Sequence, residues 1–184
     1  MFDFLRKFAR GRNARAKSEQ ARPGVQLLAS VLVCFPEIEA VSYEPEKAFL
    51  TMDFVVRTRI PPAEIEAFAA FLAESIETYH ALEDSVASDM DFSYEQHDEL
   101  TMLHLARRMD ELSERELSLI VQLLKERFAE TLLVDPHGVE APDTEFRMLQ
   151  HETLERMLMA VRDIPLRERL VGIRERDQVV VYNR

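Results

Sequence analysis

This 184-residue chain contains few of the residues that cross-link or interrupt a fold: one cysteine, four glycines, eight prolines and no tryptophan. A single cysteine excludes an internal disulfide, and Cys34 lies in an apolar run where a small buried thiol is expected. So few glycines leave no glycine-rich phosphate loop, and the GxSxG and HExxH motifs are absent as well. We therefore expect no cofactor and no metal ion.

Long apolar runs are also absent. No stretch approaches the roughly 18 to 20 apolar residues that span a bilayer, and the N-terminus lacks the charge order and cleavage site of a secretion signal. At 47% hydrophobic residues, the chain can nevertheless build a core without disulfides. These features predict a cytoplasmic protein in which residues 23–184 form a single acidic α+β domain.

The net charge of −11 is divided unevenly along the chain. Residues 1–22 hold seven basic residues against two acidic ones, a net charge of +5, which leaves −16 on the rest. From residue 60 to residue 106 there is no lysine or arginine, but there are eleven acidic residues. The sequence therefore predicts a basic N-terminal tail joined to a strongly acidic body.

Hydrophobic periodicity predicts alternating helices and β-hairpins. Apolar residues three and four positions apart predict helices over about 24–35, 62–82, 114–128 and 144–164. Alternating residues predict strands over about 38–43, 48–58, 89–95, 100–107, 170–173 and 179–182. Ser113 and Glu116 have the spacing of a capping box at the start of the third helix.

This order predicts an α+β fold: an antiparallel sheet built from two hairpin-helix units, with helices mainly on one face, plus a C-terminal helix and hairpin. A triplet match between 50–52 and 100–102, at an offset of 50 residues, raises the alternative that the two units are a duplication. The sequence leaves open whether the hairpins pair within one sheet or across a dimer. Exposed edge strands favour a homodimer, because a shared edge removes unpaired backbone groups.

The N-terminal tail carries the clearest candidate docking residues. On a helix, Met1, Phe4, Leu5 and Phe8 lie on one face, and Arg6, Lys7 and Arg10 lie off it. Such a segment can bind an anionic membrane surface, the groove of a protein partner, or the phosphates of a nucleic acid. It can also pack on its own body. The acidic body itself is a poor ligand for nucleic acid, since it repels phosphates.

Two further constellations are candidates. Asp89, Asp91 and Glu95 alternate along a predicted strand and form an acidic face that fits a basic protein partner. They are not a calcium loop, because Tyr94 and Leu100 stand where that loop requires Gly and Glu. His97, Asp98 and His104 would supply two nitrogens and an oxygen to a catalytic or metal pocket if the turn brought them together.

The sequence thus favours a non-enzymatic binding, adaptor or regulatory module whose basic N-terminal segment docks to a membrane surface or a protein partner. The alternative is a small enzyme or metal-binding protein with a pocket around His97, Asp98 and His104.

Overall fold

The computed structural model describes residues 22–136, 144–175 and 178–183, which place four helices over one face of a six-stranded antiparallel sheet. In chain order the elements are α1 Pro23–Cys34, β1 Ala40–Glu44, β2 Phe49–Val56, α2 Pro62–Leu82, β3 Asp91–His97, β4 Leu100–Arg108, α3 Glu114–Phe128, a short 3-10 turn Ala129–Thr131, α4 Thr144–Asp163, β5 Leu170–Glu175 and β6 Gln178–Asn183. The predicted α+β class and the predicted order of elements are confirmed.

Strand order across the sheet is β3-β4-β2-β1-β5-β6. Each predicted hairpin forms, and the hairpins then join through β2 with β4 and through β1 with β5, always antiparallel. The hairpins therefore pair within one chain, which the sequence left open. β3 and β6 form the two edges of this sheet.

Alternation along the strands decides which face is covered. Leu50, Met52 and Phe54 of β2 are fully buried and belong to the main core, which also holds buried residues from all four helices. In register with them, Leu105 lies opposite Met52 and Leu103 lies opposite Phe54. Because successive strand residues point to opposite faces, Asp53 and His104 lie on the face remote from this core.

The triplet match at an offset of 50 is not a structural equivalence. Leu50 points into the core and pairs with Arg107, which therefore faces the core as well. Leu100 is an odd number of residues away from Arg107 along β4, so it lies on the other face of the sheet. The same reversal separates Met52 from Met102. A shift of one residue exchanges the two faces of a strand, so the identical letters occupy opposite environments.

α1 has no charged residue and packs closely on β1, β5 and β6. Gly172 allows this approach, because a Cβ there would lie 3.1 Å from Leu32 Cδ1. The end of α1 is fixed by Arg174, which donates to the carbonyl oxygens of Leu32, Phe35 and Ile38 and to Asp135. α4 packs outside this layer against α1 and α3.

Within the three described ranges, no helix combines the length and the apolar composition needed to cross a bilayer.

Candidate functional site

A polar cleft of about 940 Å³ lies where the end of α2, the start of α3 and one side of α4 meet. Six carboxylates, three arginines and two histidines line it. The floor continues into buried ionisable groups: His80 and Glu116 are 5% and 0% exposed, and Arg107 beside them is fully buried. Buried charges are rare unless they are paired, so the partners of these groups define what the cleft can do.

A chain of hydrogen bonds connects the cleft to β4. Ser85 Oγ lies 2.9 Å from His80 Nδ1, and His80 Nε2 lies 2.8 Å from Glu116 Oε2. The other oxygen of Glu116 accepts from Arg107 Nε at 2.7 Å. Since a carboxylate only accepts, the proton on this side of the His80 ring is on Nε2. Arg107 also donates to the carbonyl oxygen of Ser88 at 2.6 Å, which ties the strand to the segment preceding β3.

A second histidine–carboxylate pair forms the wall of the cleft. His151 Nδ1 on α4 lies 2.6 Å from Glu114 Oε1 in the first turn of α3. Glu155, one turn further along α4, accepts from the backbone N–H of Glu114 at 2.7 Å. A carboxylate at a helix N-terminus satisfies a free N–H and interacts favourably with the helix dipole, so α4 is fixed to the start of α3.

These contacts make the cleft a hydrogen-bonded junction of helices. Each nitrogen of His80 has a neighbour within hydrogen-bond distance, and both oxygens of Glu116 have partners. Arg107 Nη2 is the exception, since it makes no hydrogen bond and lies 3.6 Å from Glu111 Oε2. Across the described ranges, no group of three or more His, Cys, Asp or Glu side chains could hold a metal ion.

Sequence reasoning identified Glu116 only as half of a capping box. Ser113 performs its predicted part, since its hydroxyl accepts from the backbone N–H of Glu116 at 3.1 Å. The Glu116 side chain, however, turns away from the cap to bind Arg107 and His80. The sequence feature that could have revealed this role of Glu116 is Arg107, which occupies a core-facing position of β4. A buried arginine requires an acidic partner.

The structure does not bring the predicted histidine pocket together. His97 pairs with Leu100 across the β3–β4 hairpin, and His104 lies four residues further along β4, about 13 Å away at strand spacing. His97 lies 3.3 Å from Glu95, whereas His104 lies 2.7 Å from Asp53 on the neighbouring strand. Asp98 occupies the exposed turn of the hairpin, in the left-handed region at φ 51°.

The pairing with Asp53 affects the ionisation of His104. The hydrogen bond that the His104 ring donates to Asp53 raises the pKa of His104 above its ordinary value, although burial works in the opposite direction. His104 Nε2 is buried and has no hydrogen-bond partner. This histidine is therefore a partly buried member of a cross-strand hydrogen-bonded pair with Asp53.

Two of the three acidic residues predicted to form a docking face point the same way. Asp91 and Glu95 are exposed on edge strand β3, on the face remote from the core, opposite Ala106 and Met102. Asp89 is exposed just before the strand. No described lysine or arginine forms an ion pair with these three carboxylates.

The predicted docking residues lie outside the described part of the chain; they are Met1, Phe4, Leu5, Arg6, Lys7, Phe8 and Arg10. The description begins at Arg22, whose guanidinium binds Glu168 at 2.6 Å. The next residue, Pro23, starts α1, so the point at which the N-terminal segment joins the body is fixed.

The fold separates this junction from the acidic stretch. Residues 60–106, which lack any lysine or arginine, form α2, β3 and most of β4. Gln96 of β3 donates to the carbonyl oxygen of Ile60, and His80 is linked through Glu116 to Arg107, so α2 lies along this edge. α1 lies instead on β5 and β6, at the other edge. Five strand spacings, about 24 Å, separate β3 from β6.

No family model, no curated protein and no solved structure matches this chain.

Proposed function

We propose that this chain is a non-enzymatic cytoplasmic adaptor that docks on an anionic membrane surface through residues 1–22 and presents its acidic half to a basic protein partner. The acidic half is defined as residues 60–106, which form α2, β3 and most of β4. The observation that carries the proposal is the separation of charge: the +5 segment joins the body at one edge of the sheet, and the base-free stretch forms the other.

The docking segment, residues 1–22, has the composition of an interfacial helix. Four apolar side chains at helical spacing can enter the boundary between headgroups and acyl chains, while basic residues face the phosphates. Each basic residue near such a surface contributes about 1 kcal/mol. Seven of them, combined with a few apolar anchors, support binding that is reversible and sensitive to salt.

The position of the acidic half removes the main objection to this proposal. A body of charge −16 would be repelled by an anionic surface if its carboxylates faced that surface. Residues 60–106 hold eleven of the 32 acidic residues of the body and account for −11 of its −16 charge. Because the Debye length at physiological salt is about 8 Å, these eleven carboxylates, which lie toward the β3 edge up to about 24 Å from β6, contribute little repulsion. Docking through the α1 edge therefore orients the molecule with its acidic half outward.

The outward half is the surface for a protein partner. Asp89, Asp91 and Glu95 are exposed along edge strand β3, and Glu66 and Glu77 are exposed on neighbouring α2. None of these five carboxylates forms an ion pair with a described lysine or arginine, so a basic protein or peptide is the complementary ligand. Homodimerisation through an exposed edge, β3 or β6, stays a prediction that sedimentation velocity at micromolar concentration would test.

Co-sedimentation of the full chain with vesicles tests membrane docking. We expect binding to vesicles containing phosphatidylserine and no binding to pure phosphatidylcholine vesicles. The variant Arg6→Gln/Lys7→Gln/Arg10→Gln should lose about 3 kcal/mol of binding free energy, which is roughly a hundredfold in affinity. The matched control Arg115→Gln/Arg127→Gln/Arg147→Gln removes the same charge from the body and should bind within about threefold of the parent.

Three outcomes would contradict the proposal. An equal loss of vesicle affinity in the tail and body variants would mean that binding depends only on the total charge of the protein. Undiminished binding by Phe4→Ser/Phe8→Ser would show that the apolar face takes no part. Failure to bind any vesicle, together with capture of the same segment by an acidic protein, would assign the tail to a protein groove instead.

A further inference from the structure

A second cavity lies beside the point at which the docking segment joins the body. It is a groove of about 670 Å³ between the start of α1, the second half of α4 and the connection from α4 to β5. Its apolar floor includes Met157, Ala160, Val161, Leu166 and Leu170. The volume falls within the range of about 300 to 1,000 Å³ that is typical of small-molecule sites.

The rim of this groove is cationic. Arg22, Arg156 and Arg167 line it, against a single carboxylate from Glu168. Glu168 already binds Arg22. Neither Arg156 nor Arg167 forms an ion pair with a described residue, and the only bond of the Arg156 guanidinium is a 3.4 Å contact with the carbonyl oxygen of Glu152. Arg156 lies between this groove and the polar cleft, since it lines both. It and Arg167 can therefore bind an anion at the mouth of the apolar groove.

An exposed apolar side chain marks the mouth. Ile164 is 77% exposed, although it lines the groove and follows directly after α4. Burial of an isoleucine side chain is favourable, and this side chain is left in water. Contact with an acyl chain would bury it.

We propose that this groove binds one anionic phospholipid of the membrane surface, with an acyl chain on the apolar floor and the phosphate between Arg156 and Arg167. The inference rests on the proposed function, because Arg22 belongs both to the docking segment and to the groove rim. A segment bound to an anionic membrane brings the groove to the same surface. The combination of an apolar floor with a cationic rim matches the two ends of an anionic lipid.

The absence of tryptophan from the chain gives a direct test, since one introduced indole reports its own environment. Three full-length variants are compared: Ile164→Trp at the groove, Phe4→Trp in the docking segment, and Leu149→Trp as control. Leu149 is 53% exposed near the opposite end of α4. With phosphatidylserine vesicles containing doxyl-labelled lipid, we expect the indoles at positions 4 and 164 to shift to the blue and to be quenched at least twofold more than the indole at position 149.

A charge variant tests the rim. Arg156→Gln/Arg167→Gln should lower affinity for these vesicles about 30-fold, as expected for two lost contacts with lipid phosphates. The control Arg59→Gln/Arg147→Gln changes net charge by the same amount at exposed positions away from the groove and should stay within about threefold of the parent.

The possible failures are distinguishable. Quenching at position 4 without quenching at position 164 overturns the lipid groove and leaves membrane docking intact. No quenching at either position overturns docking itself. A blue shift at position 164 without doxyl quenching overturns the lipid assignment in favour of a protein occupant, and equal quenching at 164 and 149 overturns a specific site.

Discussion

At the scale of single residues, one buried carboxylate holds two other buried ionisable groups of the core. Glu116 is fully buried between His80 and Arg107, which belong to α2 and β4. A buried ion pair stabilises a fold less than its Coulomb energy suggests, because both charges have lost their hydration. Removing one member is nevertheless costly, because the other is left as an uncompensated charge. The main effect of Glu116 is therefore to fix the relative positions of α2, β4 and α3, and its contribution to the free energy of unfolding is the smaller effect.

Glu116→Gln should destabilise the fold by about 3 kcal/mol, because buried Arg107 loses its hydrogen-bonded counter-ion and keeps only Glu111 Oε2 at 3.6 Å. Urea unfolding followed by circular dichroism measures this loss. Glu77→Gln, an exposed change on α2, is the control and should stay within about 0.5 kcal/mol. The double variant Arg107→Met/Glu116→Leu should recover much of the loss, whereas a double variant as unstable as Glu116→Gln would contradict this account.

His104 should make stability depend on pH. Its pKa is raised by the hydrogen bond with Asp53, so the charged ring stabilises the fold below the ordinary pKa of about 6.5. That contribution is lost as the pH rises through the raised pKa of the folded state. Asp53→Asn should lower the pKa of His104 in an NMR titration and should destabilise the protein more at about pH 5.5 than at pH 8.5. An unchanged His104 pKa in this variant would exclude Asp53 as the cause.

At the scale of elements, local sequence signals were sufficient to predict the helices and strands, but the sequence did not predict which distant strands pair. The bounds of α1 and α2 follow from prolines and apolar spacing, and the alternation along β2 identifies its buried face. Strand order depends on contacts between distant segments, so the joining of β2 to β4 had no local signal. The same limit applies to the site: Arg107 and His80 are 27 positions apart, and only the fold shows that Glu116 joins them.

The start of α3 offers a test at this scale. Ser113 Oγ accepts from the N–H of Glu116 and lies 2.8 Å from Tyr79 Oη, so it caps α3 and contacts α2. Ser113→Ala should cost about 1 kcal/mol, which is typical of a lost N-cap. Ser75→Ala is the matched control, since Ser75 bonds only to the carbonyl oxygen of Phe71 within α2. Its replacement by the better helix former should be neutral or slightly stabilising. Equal costs for the two variants in thermal unfolding would contradict a capping role for Ser113.

At the scale of the whole molecule, the sheet lies between the acidic stretch and the point at which the basic segment joins the body. Its six strands place the base-free acidic half at the β3 edge and the junction of the +5 segment at the β5–β6 edge. A net charge of −11 gives no sign of this arrangement. The proposed orientation on a membrane follows from the separation, because the edge that carries the basic segment is attracted and the acidic edge is repelled.

Amide hydrogen exchange of the full chain, with and without phosphatidylserine vesicles, tests this orientation most directly. The account predicts slower exchange on vesicle binding in residues 1–22 and around the end of α4, with no change in α2 or β3. Slower exchange in α2 or β3, or an unchanged pattern in residues 1–22 under conditions where the protein co-sediments, would contradict it.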